Sequence, residues 1–558
     1  MASELTPGIS YGTIKPSSSH RRHDEDTPTH SQGLPSPSIG TLHRGLSSRQ
    51  VQMIAIAGTI GTGLWLGTGT SLAQGGPASM LICYSIVGFI VYVTLLLLGE
   101  MATQYPVAGS FNVYVTRFFS SAYGFALSWN YWLNHAVGVA SSLTAAQIVL
   151  EFWSFPNPWI FSLTLWVFLV FANATHVGAY GELEYWLSSL KVVTIVIFIL
   201  LGILVNVGAN QEHRFIGFEN WQIPGAPFVG GFGGFVHVFV TASFAFGGTE
   251  SLGITAGETK NPGKNIPRVV KFVFWRILLF YLLSILLIGL NVPWDYPNLS
   301  NKTAITSPFT IVFKQFGSTT AASFMNTVVL SSVISAGNHG LFAGTRVFYG
   351  LAAASHAPSL FAWTTRGGVP LPALLLTSSF SALCFGSSFI GNGQLWAWLQ
   401  TLLGVSSQIA WLSIGIASWR FRTAWKTQGR PLSEMKFRAQ WTWPWGPPFV
   451  ITAVSAIILI QGSSSVIPRF SAVDFFSFYI QLPVMALMYL LWLLVQRVRH
   501  LPASPRPAQP FFDFVDVARV DLYHDEHDGQ VDEHEDEVRA QRLRGRARWA
   551  WAAYYLIA

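Results

Sequence analysis

Charged residues and cysteines are scarce in this sequence. Only 11% of its 558 residues are Asp, Glu, Lys or Arg, whereas soluble globular domains contain about 25%. A chain of this length with so little charge cannot cover a water-facing surface, which excludes an ordinary soluble protein and indicates a polytopic membrane protein. The two cysteines, Cys83 and Cys384, lie in separate apolar runs and offer neither a disulfide framework nor metal-ligand spacing.

The sequence also lacks the signatures of several functional classes. No acid–base pair accompanies a nucleophile and no cluster has the spacing of a metal site, so we expect no enzyme, no metal and no organic cofactor. The net charge of +7 does not indicate nucleic-acid binding, because the basic residues lie in loops beside apolar runs. The polar N-terminus has no signal-peptide pattern, so we expect the first membrane helix to direct insertion.

Long apolar stretches, by contrast, fill the body of the chain. Runs of about 20 residues, the length that crosses a bilayer, alternate with short polar breaks. Twelve runs lie near 51–74, 79–103, 124–152, 158–175, 184–207, 234–256, 272–292, 321–352, 372–390, 395–418, 448–464 and 473–496. The pattern predicts an all-α membrane protein with a twelve-helix domain at 48–496. The remaining segments are predicted to be a disordered N-terminal tail at 1–47 and a C-terminal tail at 497–558.

The placement of lysine and arginine predicts the orientation in the membrane. With the N-terminus inside, the cytosolic loops hold Arg117, Lys260, Lys264, Arg268, Lys271, Arg366, Arg420, Arg422, Lys426, Arg430, Lys436 and Arg438. The opposite loops hold only Arg214, Lys302, Lys314 and Arg469. Because positive residues concentrate on the cytosolic side, we expect both termini to be cytosolic.

The first apolar run is rich in glycine. Five glycines occur in "IAIAGTIGTGLWLGTG", residues 54–69, although each costs about 1 kcal/mol relative to alanine inside a helix. We predict a helix interruption here, because the amides of Gly61, Thr62 and Gly63 could then bind a carboxylate at a half-helix N-terminus. The carbonyls of Thr59 and Ile60 would accept from an ammonium group. A small-residue contact between helices explains the same glycines and remains open.

A second glycine-rich segment lies in the sixth run. "FAFGGTESLGITAGE", residues 244–258, places Gly247, Gly248 and Gly253 beside Glu250. Interrupted helices at corresponding places, first and sixth, are typical of an inverted five-plus-five repeat with a binding site at mid-membrane. A channel would show a repeated filter loop, which this sequence does not contain.

These segments resemble the fungal amino acid permeases of the amino acid–polyamine–organocation superfamily. The matching stretches include "QMIAIAGTIGTGLWLGTG", "GEMATQYPVAGSFNVY", "GELEYWLSSLKVV", "GITAGETKNPGKNIPRVVKFVFWRILLFY" and "SSVISAGNHGLFAGTRVFYGLA". The resemblance covers roughly residues 43–500. It implies twelve helices, a five-plus-five inverted repeat with interrupted helices 1 and 6, and proton-driven uptake of L-amino acids.

The resemblance also implies roles for matching positions. The substrate carboxylate would lie on the amides of Gly61, Thr62 and Gly63. The amino group would contact carbonyls of both interruptions, and Phe246 belongs to the same expected substrate site. The carbonyl positions are Thr59, Ile60, Phe244 and Ala245. Lys191 in the fifth helix would occupy the place of a sodium ion in sodium-coupled relatives.

Ionisable residues inside the apolar runs are candidates for coupling, because a charge at the bilayer centre costs about 3 kcal/mol or more. Glu250 and Lys191 are predicted to take part in proton coupling, with a neutral buried acid and a structural cation as the respective alternatives. Glu100 is a third candidate, for which a structural salt bridge at the membrane edge is an equal alternative. Arg276 is close enough to the cytosolic edge to extend its charge into water.

Histidines and two departures from the family pattern complete the candidates. His135, His237 and His339 are interpreted as hydrogen-bonded packing residues rather than proton relays. Many fungal permeases have a glutamate where this chain has Ser142. Many also read "TEL" where this chain reads "TES", with Ser251 in the third position. The missing carboxylate weakens an assignment to basic amino acids and gives Glu250 more weight.

The sequence therefore predicts a proton-coupled symporter that imports L-amino acids across the plasma membrane by alternating access. Basic amino acids are a candidate substrate class. The alternative is a non-transporting amino acid sensor that signals through its cytosolic tails. The expected partners are the amino acid, the lipid bilayer and, on the N-terminal tail, ubiquitin ligase machinery acting at Lys15. Lys15 is the only lysine in either tail, and loop lysines such as Lys260 are the alternative acceptors.

Overall fold

The computed structural model describes most of the predicted membrane domain. The described residues are 53, 60–107, 109, 111–175, 177–256, 259, 261–300, 305–365, 367–466, 470–499, 513–523 and 526. All of them belong to one compact unit that begins at Gly40. The predicted N-terminal tail with Lys15, and the predicted carbonyl position Thr59, lie outside the described residues.

The first half of the described chain is helical. A π-helical turn at Gly63–Gly67 leads into α1, and a 3₁₀ turn at Thr249–Ser251 separates α6 from α7. The helices are α1 (Thr68–Gln104), α2 (Phe111–Phe118), α3 (Ser121–Leu150), α4 (Pro158–Ala174), α5 (Val177–Asn206), α6 (Gly231–Phe246) and α7 (Leu252–Thr255).

The second half continues in the same way. Its helices are α8 (Pro262–Arg276), α9 (Leu283–Asn291), α10 (Pro308–Gln315), α11 (Thr319–Ala353), α12 (Leu371–Ser379), α13 (Ser387–Ile390), α14 (Asn392–Thr427), α15 (Gly446–Ile460), α16 (Ala472–Tyr479) and α17 (Gln481–Arg499). A π-helical segment at Ile277–Leu282 joins α8 to α9, and a 3₁₀ segment at Phe380–Gly386 joins α12 to α13. Across the described ranges no β-strand forms, and one isolated bridge pairs Ser120 with Phe514.

Each of the twelve predicted apolar runs contains helix. Among the described residues, nine helices are long and apolar enough to cross a membrane. The apolar helices α4 and α15 are shorter. The fold is therefore that of a multi-helix membrane protein.

The first two predicted runs form two helices within α1 that fold back on each other, since Ser71 Oγ lies 3.4 Å from Tyr84 Oη, whereas thirteen residues of one continuous helix would span about 20 Å. Gly76 has a φ of 80° within α1, and Pro77 follows it. The loop before α6 bonds to this turn, since Ala78 donates to the carbonyl of Pro227 at 3.2 Å and Val229 donates to that of Gly75 at 2.9 Å. The predicted break near residues 75–78 is thus a turn between two helices, and a distant loop satisfies its backbone groups.

Side-chain exposure separates the outer helices from the inner ones. Large apolar side chains such as Phe171, Trp186 and Leu459 are exposed on the outer helices. Polar residues such as Asn338, Gln408 and Thr241 are buried in the interior. Lipid can cover the first set, while polar groups within the membrane face the bundle interior.

A C-terminal strap, residues 513–523, packs where the start of α3 meets the end of α14. Asp513 accepts hydrogen bonds from Ser120 Oγ at 2.5 Å and from the amide of Ala122 at 2.8 Å. Farther along, Leu522 is fully buried and its carbonyl accepts from Tyr105 Oη at 2.7 Å. The strap therefore connects the chain beyond α17 to α1, α3 and α14.

Candidate functional site

The sixth apolar run is interrupted where its sequence predicts. Helix α6 ends at Phe246, Gly247 adopts an extended ψ of 148°, and Gly248 has a left-handed φ of 87°. The hydroxyl of Ser251 donates to the carbonyl of Gly248 at 2.6 Å. Gly248 tolerates this backbone because it carries no Cβ.

The first run has a corresponding irregular start. Ile60 and Gly61 form bends, and a helix begins at Thr62. The carbonyl of Gly61 accepts from the amides of Leu64 at 3.2 Å and Trp65 at 3.4 Å. The amides of Gly61, Thr62 and Gly63 thus lie in the first turn of a helix, where backbone donors have no intrahelical acceptor.

The two irregular segments touch each other. A Cβ added at Gly63 would lie 3.0 Å from both the amide nitrogen and the Cβ of Ala245, and closer still to its Cα. Real carbon atoms approach to about 3.5–4.0 Å, so only glycine fits here. This contact holds the start of the first helix against the end of α6.

A cavity of about 100 Å³ lies between these segments and three further helices. Glycine, serine and other small residues dominate its wall, together with two histidines and one carboxylate. The lining consists of Gly61, Thr62, Gly63, Asn134, His135, Gly138, Ser141, Ser142, Phe244, Ala245, Gly247, Gly248, Glu250, Ala336, His339, Gly340, Leu403 and Ser407. We call this the central cavity.

Six of the predicted site residues line the central cavity. They are Gly61, Thr62, Gly63, Phe244, Ala245 and Glu250. Four others, Ile60, Phe246, Lys191 and Glu100, are described and do not line it. Their predicted substrate or coupling roles therefore require action through neighbouring groups.

The predicted carbonyl acceptors already receive hydrogen bonds. Ser332 Oγ donates to the carbonyl of Ile60 at 3.2 Å, and Tyr281 Oη donates to that of Ala245 at 2.7 Å. The amide of Gly247 donates to Phe244 at 3.1 Å. Because a carbonyl oxygen has two lone pairs, each retains capacity for one further donor.

Glu250 is held in place by the interruption itself. Its carboxylate accepts from the amide of Gly248 and from Thr249 Oγ1, both at 3.3 Å, and from Trp411 Nε1 at 3.2 Å. The residue is buried and lines the central cavity. Two of these donors belong to the broken segment, so a movement of that segment changes the surroundings of the carboxylate.

Lys191 lies in a buried polar network behind the cavity. It interacts electrostatically with Glu184 on the same helix. Glu184 is fully buried and accepts from Ser335 Oγ and from Asn338 Nδ2, both at 2.6 Å. These bonds tie α5 to α11, and Asn173 of α4 adds a bond at 2.7 Å to Asn338.

Glu100 pairs with a partner outside the cavity. Arg422 of α14 donates to its two carboxylate oxygens at 2.5 and 3.1 Å, and the amide of Ala439 donates at 2.7 Å. Both charged side chains are almost fully buried. This is the geometry of the salt-bridge alternative, and a proton-coupling role for Glu100 stays a prediction.

Comparison with known proteins agrees with this architecture. The sequence model of the amino acid permease family matches residues 50–501. The chain belongs to the amino acid permease family. A probable amino-acid permease of Schizosaccharomyces pombe is 43% identical over 84% of this chain and 95% of its own length.

Two further relatives are named for different substrates. The lysine-specific permease LysP of Escherichia coli is 43% identical to this permease over 75% of the chain and 86% of its own. A general amino-acid permease of Saccharomyces cerevisiae is 38% identical over 80% of the chain and 76% of its own. Membership in this transporter family establishes a multi-pass membrane protein of amino-acid transport, but relatives of similar identity differ in named substrate.

Sequence reasoning did not find most of the cavity wall. On α3 of this permease, Asn134, Gly138, Ser141 and Ser142 line the cavity, at the i, i+4, i+7 and i+8 spacing of one helix face. A search for faces of small and polar residues within the apolar runs would have identified them.

The two histidines of the cavity form a second group. His135 and His339, interpreted from sequence as packing residues, have ring centroids 6.4 Å apart. Tyr180 Oη lies 3.2 Å from Nδ1 of His339, while Nε2 of each ring has no hydrogen-bond partner in the described part of the permease. Both rings thus combine a packing role with a face on the cavity.

Proposed function

We propose that this permease is a proton-coupled symporter that imports L-amino acids across the plasma membrane by alternating access. The observation that carries the proposal is the cavity beside the irregular start of the first helix and the interruption after α6, which contact each other at Gly63 and Ala245. Twelve spans, a five-plus-five inverted repeat and two cytosolic termini are part of the same proposal. Nine long apolar helices and family membership support it.

The cavity is suited to bind the carboxylate and ammonium groups that all amino acids share. The amides of Gly61, Thr62 and Gly63 begin a helix, where the partial positive charge of the helix dipole favours a carboxylate. The carbonyls of Phe244 and Ala245, two residues that line the cavity, each have a free lone pair for an ammonium group. A zwitterion would thus be neutralised at both ends by backbone groups, without an arginine.

Glu250 is the proposed site of proton coupling. It is the one carboxylate among the described residues that line the central cavity. It is bonded to the interrupted segment through Gly248 and Thr249, so substrate-driven movement of that segment would alter its proton affinity. A neutral amino acid moving with one proton carries one positive charge, for which a membrane potential supplies about 2.3 kcal/mol per 100 mV.

Lys191 and Glu184 are proposed to couple movements of α5 to α11. Their electrostatic interaction and the bonds from Glu184 to Ser335 and Asn338 link α5 to a wall of the cavity. Glu100 is proposed to act in the same process only indirectly, because its partner Arg422 is outside the cavity.

Basic amino acids are the proposed substrate class. The lysine-specific relative and the carboxylate of Glu250 beside the cavity support this choice. Ser142 lines the cavity where many fungal permeases have a glutamate. A basic side chain would therefore have no second carboxylate to contact at that position. We therefore expect lysine or arginine to be carried without exclusion of neutral amino acids.

The decisive experiment is uptake by permease-deficient yeast cells that express the full chain. Accumulation of a labelled L-amino acid, faster at external pH 5 than at pH 7 and accompanied by entry of protons, is the expected result. Saturable binding to the purified protein without accumulation in cells would instead identify the sensor. Neither binding nor uptake of any amino acid would refute both hypotheses.

The predicted tails have a separate proposed role in turnover. Because Lys15 is the only tail lysine, we expect Lys15→Arg to slow removal of the permease from the cell surface after excess substrate is added. Lys260→Arg is the matched control for modification in a loop. Unchanged removal of the Lys15→Arg variant would reject the N-terminal acceptor.

A further inference from the structure

A second and larger cavity, of about 400 Å³, shares the first helix, α6 and α14 with the central one. Three pairs of lining residues show the offset: Gly63 and Thr70, Phe244 and His237, and Ser407 and Gln400. Each pair is seven residues apart, which is about 10 Å along a helix. We call this the outer cavity, because the predicted orientation places it toward the extracellular side.

An aromatic contact lies between the two cavities. Trp396 lines the outer cavity and Phe244 lines the central one. Their ring centroids are 6.1 Å apart in an edge-to-face arrangement. The side chains of Trp396 and Phe244 thus connect the walls of the two cavities.

The wall of the outer cavity holds polar atoms that have no partner. They are Gln74 Oε1, His237 Nδ1, Trp396 Nε1 and Trp398 Nε1, each buried and without a hydrogen bond among the described residues. Trp396 is fully buried. Buried polar groups are nearly always hydrogen-bonded, so a set of four around one cavity indicates a solute or ordered water. The set offers two indole donors together with acceptors.

Asp474 supplies a carboxylate at the same wall. It lies in the first turn of α16, where Ser471 caps the helix by accepting from the Asp474 amide at 3.4 Å. The amide of Ser471 donates to Ser465 at 2.8 Å, so the carboxylate does not serve the reciprocal bond of a capping box. Asp474 is the one carboxylate among the described lining residues, which also include Trp396 and Trp398.

We propose that the outer cavity is a binding site for a cationic L-amino acid on its way to the central cavity. Asp474 and the tryptophan faces would attract the side-chain ammonium or guanidinium group, and the unpartnered indole N–H groups would bind the carboxylate. The inference rests on the proposed function, since it assigns a substrate class and a first contact to the same import route.

The test compares Asp474→Asn with Asp295→Asn. Asp295 is an exposed carboxylate in an outer loop that does not line the cavity, so the control removes the same charge from the same face. We expect Asp474→Asn to raise the apparent KM for lysine about fivefold, the scale of a solvent-exposed ion pair, with little change in KM for alanine or in maximal rate. Asp295→Asn should leave both values unchanged.

A second variant guards against a structural effect of the first. Trp398→Phe keeps a six-membered aromatic ring and removes the unpartnered N–H group together with the five-membered ring that carries it. It should also raise the lysine KM selectively, with the same amount of permease at the cell surface. The purified full-length permease should bind two lysine molecules per chain at saturation, and in the Asp474→Asn variant one of the two should bind about fivefold more weakly.

Each contrary result has a distinct meaning. Equal changes for lysine and alanine, no change in either, or one lysine per wild-type chain would overturn the outer site while wild-type uptake still supports the symporter. Uptake of alanine without lysine by the wild type would reject the cationic class. Absence of uptake for every amino acid would refute the proposed function and the inference together.

Discussion

Replacing Gly63 by alanine should separate the two interrupted helices. The new Cβ would lie 3.0 Å from the amide nitrogen and Cβ of Ala245, whereas non-bonded carbon atoms prefer about 3.5–4.0 Å. The Cα of Ala245 would be closer still, so backbone atoms at the end of α6 must move by more than about 1 Å. Overpacking of this kind costs about 1–3 kcal/mol, and a penalty of about 2 kcal/mol corresponds to a roughly 30-fold lower population of the contacting state.

Initial uptake rates measure this penalty. Cells expressing Gly63→Ala should take up amino acid about 30-fold more slowly than wild type, after rates are normalised to surface permease. Gly350→Ala is the matched control, because its Cβ would have its nearest neighbour, Gly109 Cα, at 3.9 Å. That control lies in α11 away from the cavity and should transport normally.

Normal transport by Gly63→Ala would contradict this prediction. If Gly63→Ala transports within twofold of wild type, the contact between the first helix and α6 is not part of the transport cycle. If the variant fails to reach the surface, detergent-solubilised protein should be compared by size-exclusion chromatography before and after adding substrate. A folded variant that no longer binds substrate would support a role for the Gly63–Ala245 contact. A folded variant that binds substrate as the wild type does would reject that role.

Three further predictions concern buried and capping carboxylates. Glu100→Leu leaves Arg422 unpaired and should lower the unfolding free energy by about 3–5 kcal/mol, which thermal denaturation in detergent measures; adding Arg422→Met should restore most of the loss. Asp513→Ala removes a cap from the start of α3 and should cost about 1 kcal/mol, seen as faster amide hydrogen exchange at Ala122. Glu250→Gln should abolish the pH dependence of uptake while the protein still binds substrate, and an unchanged pH profile would exclude Glu250 as the coupling group.

The irregular backbone at these two places was predictable because its cause is local. Glycines at residues 61, 63, 247 and 248 carry the information for a non-helical backbone in the sequence itself. The structure accordingly has an irregular start before Gly63 and a left-handed residue at Gly248. Composition and the length of apolar runs were likewise sufficient for a helical membrane protein.

Features that depend on distant partners were not predictable. Glu184 begins the fifth predicted run and was passed over, because its partners Ser335 and Asn338 are more than 150 residues away. The turn at Gly76 is bonded by a loop that precedes α6. The partner of Glu100, Arg422, is 322 residues away in the chain, so sequence could not decide between coupling and a salt bridge.

The C-terminal strap binds the helices largely through its main chain. Its carbonyls accept from Arg117, Arg420, Gln428 and Arg430, and every amino acid supplies such an oxygen. A scan that changes one side chain at a time would thus find the segment tolerant, except near anchors such as Asp513. Only a truncation that removes the strap would show how much the arginine side chains depend on its carbonyls. Tolerance of single substitutions in the strap would therefore reflect its main-chain hydrogen bonds and would not show that the strap is dispensable.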